Sequence, residues 1–264
     1  MSEPYRALSL DLWFTTLSFE EGTAVAWRKA REQLLRDLLV LPGGPPTREQ
    51  LRRASSEVRA SDSGEGPWRE TLDPAIYLER LAERLGGRLR GDAEEAGALY
   101  SDVGLLEAPP RVNPEAVEVV RRLSERGVPV LAITNTGRRE KSWKRFFEAS
   151  EEGPRFRAIV TSCEVGRGKP SPEIFRVGAE RLGLPCSSIL HVGDRWDIDI
   201  VGARAAGMGR ALYRGLWDRY SEPEDLALNP KLDDGGEDVL RISRLTELLT
   251  EGRFLPGGEE AKTR

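Results

Sequence analysis

Residues 7–17 read Ala-Leu-Ser-Leu-Asp-Leu-Trp-Phe-Thr-Thr-Leu, a short apolar run interrupted by one carboxylate, Asp11. Leu8, Leu10 and Leu12 suit a buried strand. A carboxylate buried without a partner at such a strand's end would be costly. Asp11 therefore either caps a turn or belongs to a polar site at the strand terminus. Three later stretches supply what a reactive carboxylate needs, and they decide between the two.

Working outward, the chain changes character after this strand. Residues of about 20–108 read as helices only. Trp27, Ala30, Leu34, Leu38 and Leu41 recur at helical spacing, and Pro42-Gly43-Gly44-Pro45-Pro46 stops that helix. Thr47 with Gln50 has the form of a capping box, followed by an apolar stripe of Leu51, Ala54 and Val58. Ser61–Pro67 reads as a Gly/Ser-rich loop. Asp73-Pro74 is an N-cap with proline at the first helical position, and Gly86-Gly87 ends the helix that follows. Ala96, Leu99, Tyr100 and Val103 mark one more.

From Asn113 onward the pattern alternates. Asn113-Pro114 opens a helix with Val117, Val120 and Leu123 inward. Val128–Thr134 is a continuous apolar strand ending in Thr134-Asn135. A helix with Trp143, Phe146 and Phe147 follows, then strand Ala158–Thr161 and helix Ser171–Leu182. Strand Ile189–Val192 ends in Gly193-Asp194. A helix to about Ala206, a short strand Arg210–Tyr213 and a last strand and helix within Asp238–Leu249 complete the series. Such alternation predicts an α/β fold, a doubly wound parallel sheet with helices on both faces. Ligands of these sheets bind at the carboxyl ends of the strands. The predicted organisation is a core domain from 1–18 and 109–250, an inserted all-helical domain at 19–108, and a disordered tail at 251–264.

Composition narrows the partners. The 264 residues include 40 basic and 44 acidic side chains, a formal net charge of -4. That is no electrostatic footprint for nucleic acid. No apolar run approaches the roughly 20 residues of a membrane helix. The charged fraction is 32% and the mean hydropathy -0.47. The opening Met-Ser-Glu-Pro-Tyr-Arg lacks the apolar segment of a secretory signal. With two cysteines, Cys163 and Cys186, and no disulfide framework, this predicts a cytoplasmic protein. A single histidine, His191, excludes His-based triads and multi-histidine metal sites.

Four polar stations fall at the predicted strand ends: Asp11 with Thr15; Thr134-Asn135; Lys169 in Gly-Arg-Gly-Lys-Pro-Ser-Pro; and Asp194 with Asp197 and Asp199 in His-Val-Gly-Asp-Arg-Trp-Asp-Ile-Asp. In this order they resemble the four motifs of the haloacid dehalogenase superfamily, over residues 5–18 and about 110–214. Val-Gly-Ala-Arg-Ala-Ala-Gly-Met resembles the family's helix after the fourth motif. The resemblance implies a Rossmann-like core with a helical cap inserted after the first motif. It also implies phosphate-ester hydrolysis through an aspartyl-phosphate, with Mg²⁺. Asp11 would be the nucleophile, and Asp11, Asp194 and the Trp13 carbonyl the metal ligands.

Chemistry agrees with that expectation. A carboxylate attacks phosphorus only if charge on the phosphoryl oxygens is neutralised. Lys169, the Thr134 hydroxyl and the Asn135 backbone N–H, read at a helix start, can supply donors, with Thr15 beside Asp11. Asp11 and Asp194 would repel each other without a cation, and a hard ion such as Mg²⁺ prefers oxygen ligands. The substrate expected is a small phosphorylated metabolite.

Two positions depart from the pattern. Trp13 stands where the phosphatases carry a second, proton-transferring Asp, and Phe14 stands where glycine is frequent. The carbon–halogen-cleaving members have an aromatic Tyr at the position of Trp13, work without metal, and lack an Asp equivalent to Asp194. A haloacid-dehalogenase-like hydrolase and a non-catalytic binding protein of the same fold therefore stand as alternatives. Elsewhere the plainer readings are structural. His191 reads as a satisfied core histidine, and Arg138, Arg139, Lys141, Lys144 and Arg145 as a solvated helix face. Trp27, Trp68 and Tyr77 read as core, and Trp196 as either pocket wall or packing.

Overall fold

The computed structural model describes residues 4–19, 22–61, 71–150, 153–215 and 238–255. Trp68, most of the expected Ser61–Pro67 loop and residues 256–264 of the expected tail lie outside the described residues.

Six strands form one parallel sheet: β1 (Ala7–Leu10), β2 (Val130–Thr134), β3 (Ala158–Thr161), β4 (Ile189–Gly193), β5 (Gly209–Tyr213) and β6 (Leu240–Ile242), in the order β6-β5-β4-β1-β2-β3. The quoted stretch is thus central: Leu8 and Leu10 face Val130 and Ala132 on one side, and Leu190 and Val192 on the other. All four residues of β1 are buried. That is what a strand covered on both faces requires, and it explains why its sequence runs apolar instead of alternating.

Helices cover both faces. Helix α5 (Pro114–Glu125), capped by the Asn113 side chain on the Glu115 N–H, packs Ala116, Val119, Val120 and Leu123 against Leu8, Leu10, Leu190 and Val192. Val117 is only half-buried, so the inward stripe is displaced from the expected one. Helix α8 (Pro172–Leu182) places Ile174, Phe175 and Ala179 on the other face, against Ala7, Leu131, Ile133 and Ile189. Helix α6 (Glu140–Ala149) brings Trp143, Phe146 and Phe147 to a third cluster with Leu12, Leu17 and Leu105. A short α7 (Ser162–Val165) follows β3. After β4 the chain makes one wide helical turn, Trp196–Ile200, before α9 (Val201–Ala206). Trp196 is buried with Ile200, Leu212 and Val239, so it is packing and not pocket wall.

Between Leu17–Ser18 and Arg111–Val112, which pair with each other antiparallel, lie α1 (Thr23–Leu38), α2 (Arg48–Ser61), α3 (Pro74–Arg84) and α4 (Ala93–Asp102). They share an apolar cluster of their own that includes Leu35, Leu51, Leu78, Leu81 and Tyr100. The Thr47–Gln50 capping box and the Asp73 cap are present as expected. The all-helix expectation needs correction at one place: Leu39–Val40 pairs antiparallel with Arg88–Leu89. The helix therefore stops at Leu38, short of Leu41. Two-residue pairs carry too little periodicity to be read from sequence. Among the described residues no helix is long and apolar enough to cross a membrane.

Candidate active site

Because all six strands run parallel, Asp11 after β1, Thr134 at the end of β2 and Asp194 after β4 emerge at one edge of the sheet. The structure brings them together with Lys169 and Asp199. Carboxylate oxygens of Asp11, Asp194 and Asp199 all lie within 4.8 Å of one another, and all three residues are buried. Lys169 Nζ donates to Asp11 Oδ1 (2.6 Å) and Asp199 Oδ1 (2.7 Å).

The loops that deliver these groups are tightly held. Asn135 clamps the lysine's backbone: its Nδ2 donates to the Lys169 carbonyl (2.8 Å), and its Oδ1 accepts from the Lys169 N–H (2.7 Å). A Cβ on Gly168 would sit 2.9 Å from that Oδ1. Asp199 accepts from the Arg195 N–H through Oδ2 (3.0 Å), and its carboxyl carbon would lie 2.2 Å from a Cβ on Gly193. Only glycine lets β4 end this close to the carboxylate. His191 is fully buried, 2.9 Å through Nδ1 from Ser9 Oγ and 3.3 Å through Nε2 from Asp199 Oδ1. It is the satisfied core histidine expected, and it also holds Asp199 from behind. Asp197 pairs with the Arg195 side chain instead (2.9 Å) and stands apart from the cluster.

The electrostatics follow from burial. Three carboxylates face one ammonium, which leaves two negative charges uncompensated. Burial, reinforced by Asp199, raises Asp11 to about 7 against the pull of Lys169. Burial, with Asp199 and Asp11 as neighbours, lifts Asp194 well above the carboxylate range. Burial would also raise Asp199, but Lys169 and His191 override it and hold that carboxyl low. Lys169 stays protonated, its desolvation outweighed by Asp11 and Asp199. His191 is pushed down by burial, toward neutrality. Burial thus disfavours the ionised forms of Asp11 and Asp194, and a divalent cation beside them would favour those forms.

Two hydroxyls complete the edge. Among the described residues, Thr15 Oγ1 and Thr134 Oγ1 are buried with no hydrogen-bond partner. Buried polar atoms are rarely left so, and such an orphan calls for a ligand. The Phe14 N–H donates to the Leu17 carbonyl (2.7 Å) and the Leu17 N–H to the Leu12 carbonyl (2.6 Å), and the Trp13 carbonyl takes no backbone hydrogen bond among the described residues. Phe14 has φ 56°, the left-handed region, which accounts for glycine being the easier residue there.

The structure moves two sequence expectations. Asn135 is not at a helix start: α6 begins at Glu140, and the Asn135 side chain holds the Lys169 backbone. Arg138 and Arg139 are not a solvated face. Arg138 is buried, donates to the carbonyls of Ser101 and Val103 (3.0 Å for the latter), and lies over the Trp27 ring at 4.4 Å. Arg139 grips Asp73 through two hydrogen bonds (2.8 and 2.7 Å) and also pairs with Glu94. These contacts bind α3 and α4 to the loop after β2. Charge density alone cannot reveal them, because a buried and a solvated arginine read alike. Finally, Trp13 is locked in rings: stacked on Phe19 at 4.6 Å and edge-on to Trp27 and Trp143, each at 5.6 Å.

The buried cluster of Asp11, Asp194, Asp199 and Lys169 thus lies at the carboxyl edge of a parallel sheet. Residues 5–207 match the family model of haloacid dehalogenase-like hydrolases, and the chain belongs to that family. A glyceraldehyde 3-phosphate phosphatase from Methanopyrus kandleri is 35% identical over 54% of this chain and 57% of its own length. The chain thus spans little more than half of that relative. A phosphoserine phosphatase from Thermus thermophilus is 29% identical, covering 70% of this chain and 68% of its own. The crystal structure of a 2-haloacid dehalogenase from Pseudomonas syringae superposes with a TM-score of 0.58 at 23% identity, covering 93% of this chain and 96% of that one. The last likeness is one of fold.

Proposed function

We propose that this chain is a Mg²⁺-dependent phosphatase acting on a small phosphorylated metabolite through an aspartyl-phosphate on Asp11. The observation that carries the reading is the convergence of Asp11, Asp194 and Asp199 within 4.8 Å beside Lys169, with two orphaned threonine hydroxyls at the same edge. The names of the two phosphatase relatives support it. The donor set is all oxygen, buried, and short of two positive charges, which suits a hard divalent ion. Asp11, Asp194 and the Trp13 carbonyl would hold it. When bound, Mg²⁺ neutralises charge on the phosphoryl oxygens and the carboxylates.

The chain's own residues then divide the work. Lys169, the Thr15 and Thr134 hydroxyls and the Asn135 N–H donate to the phosphoryl oxygens and orient phosphorus before Asp11. An Asp11 oxygen forms the new P–O bond as the ester P–O bond breaks, and the departing oxygen keeps the electron pair. Water next attacks phosphorus, releases phosphate and restores the Asp11 carboxylate, its proton passing to solvent. Residues 1–18 and 109–250 serve as the catalytic core, and 19–108 as the cap that excludes water and selects substrate. The setting is the cytoplasm, with neither nucleic acid nor membrane as partner.

Trp13 favours a second reading, attack on carbon as in a haloacid dehalogenase, because an indole has no carboxylic proton to give a leaving alkoxide. One screen separates the two: phosphate esters and 2-haloacids, each with Mg²⁺ and with chelator. Phosphate release that needs Mg²⁺ and vanishes in Asp11→Asn is expected. Halide release in chelator would establish the dehalogenase, and no turnover of either class would leave a binding protein.

A further inference from the structure

A cavity of about 370 Å³ opens among α1, α2, α3 and α4. Its lining holds five arginines and one carboxylate, Glu32, among the described residues. Glu32 is 3.5 Å from Arg48 at the rim, and Arg52 is paired with Glu49. Farther in, Arg31 lies over the Tyr100 ring at 5.2 Å and Arg59 over the Tyr77 ring at 5.7 Å. Arg31 Nε is buried without a hydrogen-bond partner among the described residues. Tyr77 Oη donates to Ser55 Oγ (2.9 Å), which fixes the ring that carries Arg59.

The wall of this cavity includes Phe19 and Trp27, two of the three rings packed on Trp13, which lies two residues beyond Asp11. A smaller space continues from Arg31, Arg59, Tyr77 and Tyr100 to Gly137, three residues beyond Thr134. A guanidinium stacked on an aromatic face, with a buried N–H left unpaired, is pre-organised for an anionic oxo group.

We propose that this cavity is the subsite for a second anionic group of the substrate, a carboxylate or a phosphate, distal to the phosphoryl group that reacts at Asp11. The assignment rests on the phosphatase reading for the reacting end. Arg31 is its specificity-determining residue, and Phe19 and Trp27 form the apolar wall along the body of the substrate. The substrate class is therefore a phosphate monoester with a second negative charge, not a phosphorylated neutral alcohol.

The test uses two matched pairs of probes: glycerol 3-phosphate against 3-phosphoglycerate, and fructose 6-phosphate against fructose 1,6-bisphosphate. The first pair reports a distal carboxylate, the second a distal phosphate. Binding to the full chain carrying Asp11→Asn, with Mg²⁺ present, is measured calorimetrically. In at least one pair the doubly anionic probe should bind about tenfold or more tightly, as a charge-assisted hydrogen bond provides. Arg31→Met should remove that advantage and leave the singly anionic probe unchanged, while Arg31→Lys should keep part of it. Equal binding within both pairs, weak or absent binding of all four, or equal weakening of both members by Arg31→Met would overturn the assignment. Turnover by the wild-type chain keeps the two readings separate. Hydrolysis of esters without any distal-anion preference defeats the subsite alone. A binding preference that depends on Arg31, with no ester hydrolysed, defeats the phosphatase and leaves the subsite standing.

Discussion

Replacing Asp11 by Asn in the metal-free chain tests the electrostatics of the site directly. In the unfolded wild type, residue 11 ionises near its ordinary 3.8, whereas in the folded chain burial and Asp199 hold its proton to about 7. Between those values the folded state binds more protons than the unfolded one. Stability owed to this residue therefore falls as pH rises. The gap from 3.8 to about 7 is equivalent to roughly 4 kcal/mol at about 1.36 kcal/mol per tenfold. Asparagine is nearly isosteric and has no such proton to lose. Asp11→Asn should accordingly gain on wild type by roughly 4 kcal/mol from pH 4 to pH 8, levelling above 7. Relief of Asp194, which Asp11 also raises, acts in the same direction. His191 pushes the other way: burial lowers it in the folded state, so its contribution to stability rises with pH up to its unfolded value. It is present in both chains and drops out of the difference. The assay is urea unfolding of both chains in chelator across that range. A difference that stays flat, or that shrinks as pH rises, would show that Asp11 is ionised in the free protein and that Lys169 outweighs burial.

Two further outcomes follow from groups outside the carboxylate cluster. With no acid at position 13, esters of poor leaving groups lose the roughly 10²–10⁴-fold help of general acid catalysis. Rates should rise steeply as leaving-group pKa falls, with a product burst before slow dephosphorylation, and a flat series without a burst would place the acid elsewhere. Arg139→Met should destabilise the chain by about 2 kcal/mol through its charged hydrogen bonds to Asp73, and hydrogen exchange should quicken in α3 and α4. Burial would raise Asp73, but Arg139 and the Ala75 N–H outweigh it and hold it low. Its share of stability is thus present above its ordinary value and lost in acid, and an Arg139→Met chain with unchanged acid sensitivity would contradict this.

The six-stranded sheet was legible because strands buried on both faces must read as apolar runs, as Ala7–Leu10 and Val130–Thr134 do. Asp11, Thr134, Lys169 and Asp194 were legible through their order, which resembles the family's four motifs; each alone reads as readily as a turn, a helix cap or a solvated lysine. The clamp formed by Arg138 and Arg139 was not, since its acceptors are backbone carbonyls and carboxylates far along the chain. Nor was the role of Asn135, whose side chain holds a loop 34 residues away. The direction of Asp199, low while Asp11 and Asp194 are raised, needed the position of Lys169 between two carboxylates. Spacing along a sequence cannot rank three aspartates by their surroundings.

The antiparallel pairing of Leu17–Ser18 with Arg111–Val112 has a consequence for modularity. The chain leaves the sheet and re-enters it at one point, so to β1 and its neighbours everything between is a hairpin turn of unspecified length. The cost of closing such a turn grows only with the logarithm of its length. No strand of the six-stranded sheet lies within it. The helices can therefore vary in number and length without adding a strand to the six-stranded sheet. What ties them to it is side-chain contact instead: Trp27 and Leu105 against Leu12 and Trp143, and Arg139 on Asp73.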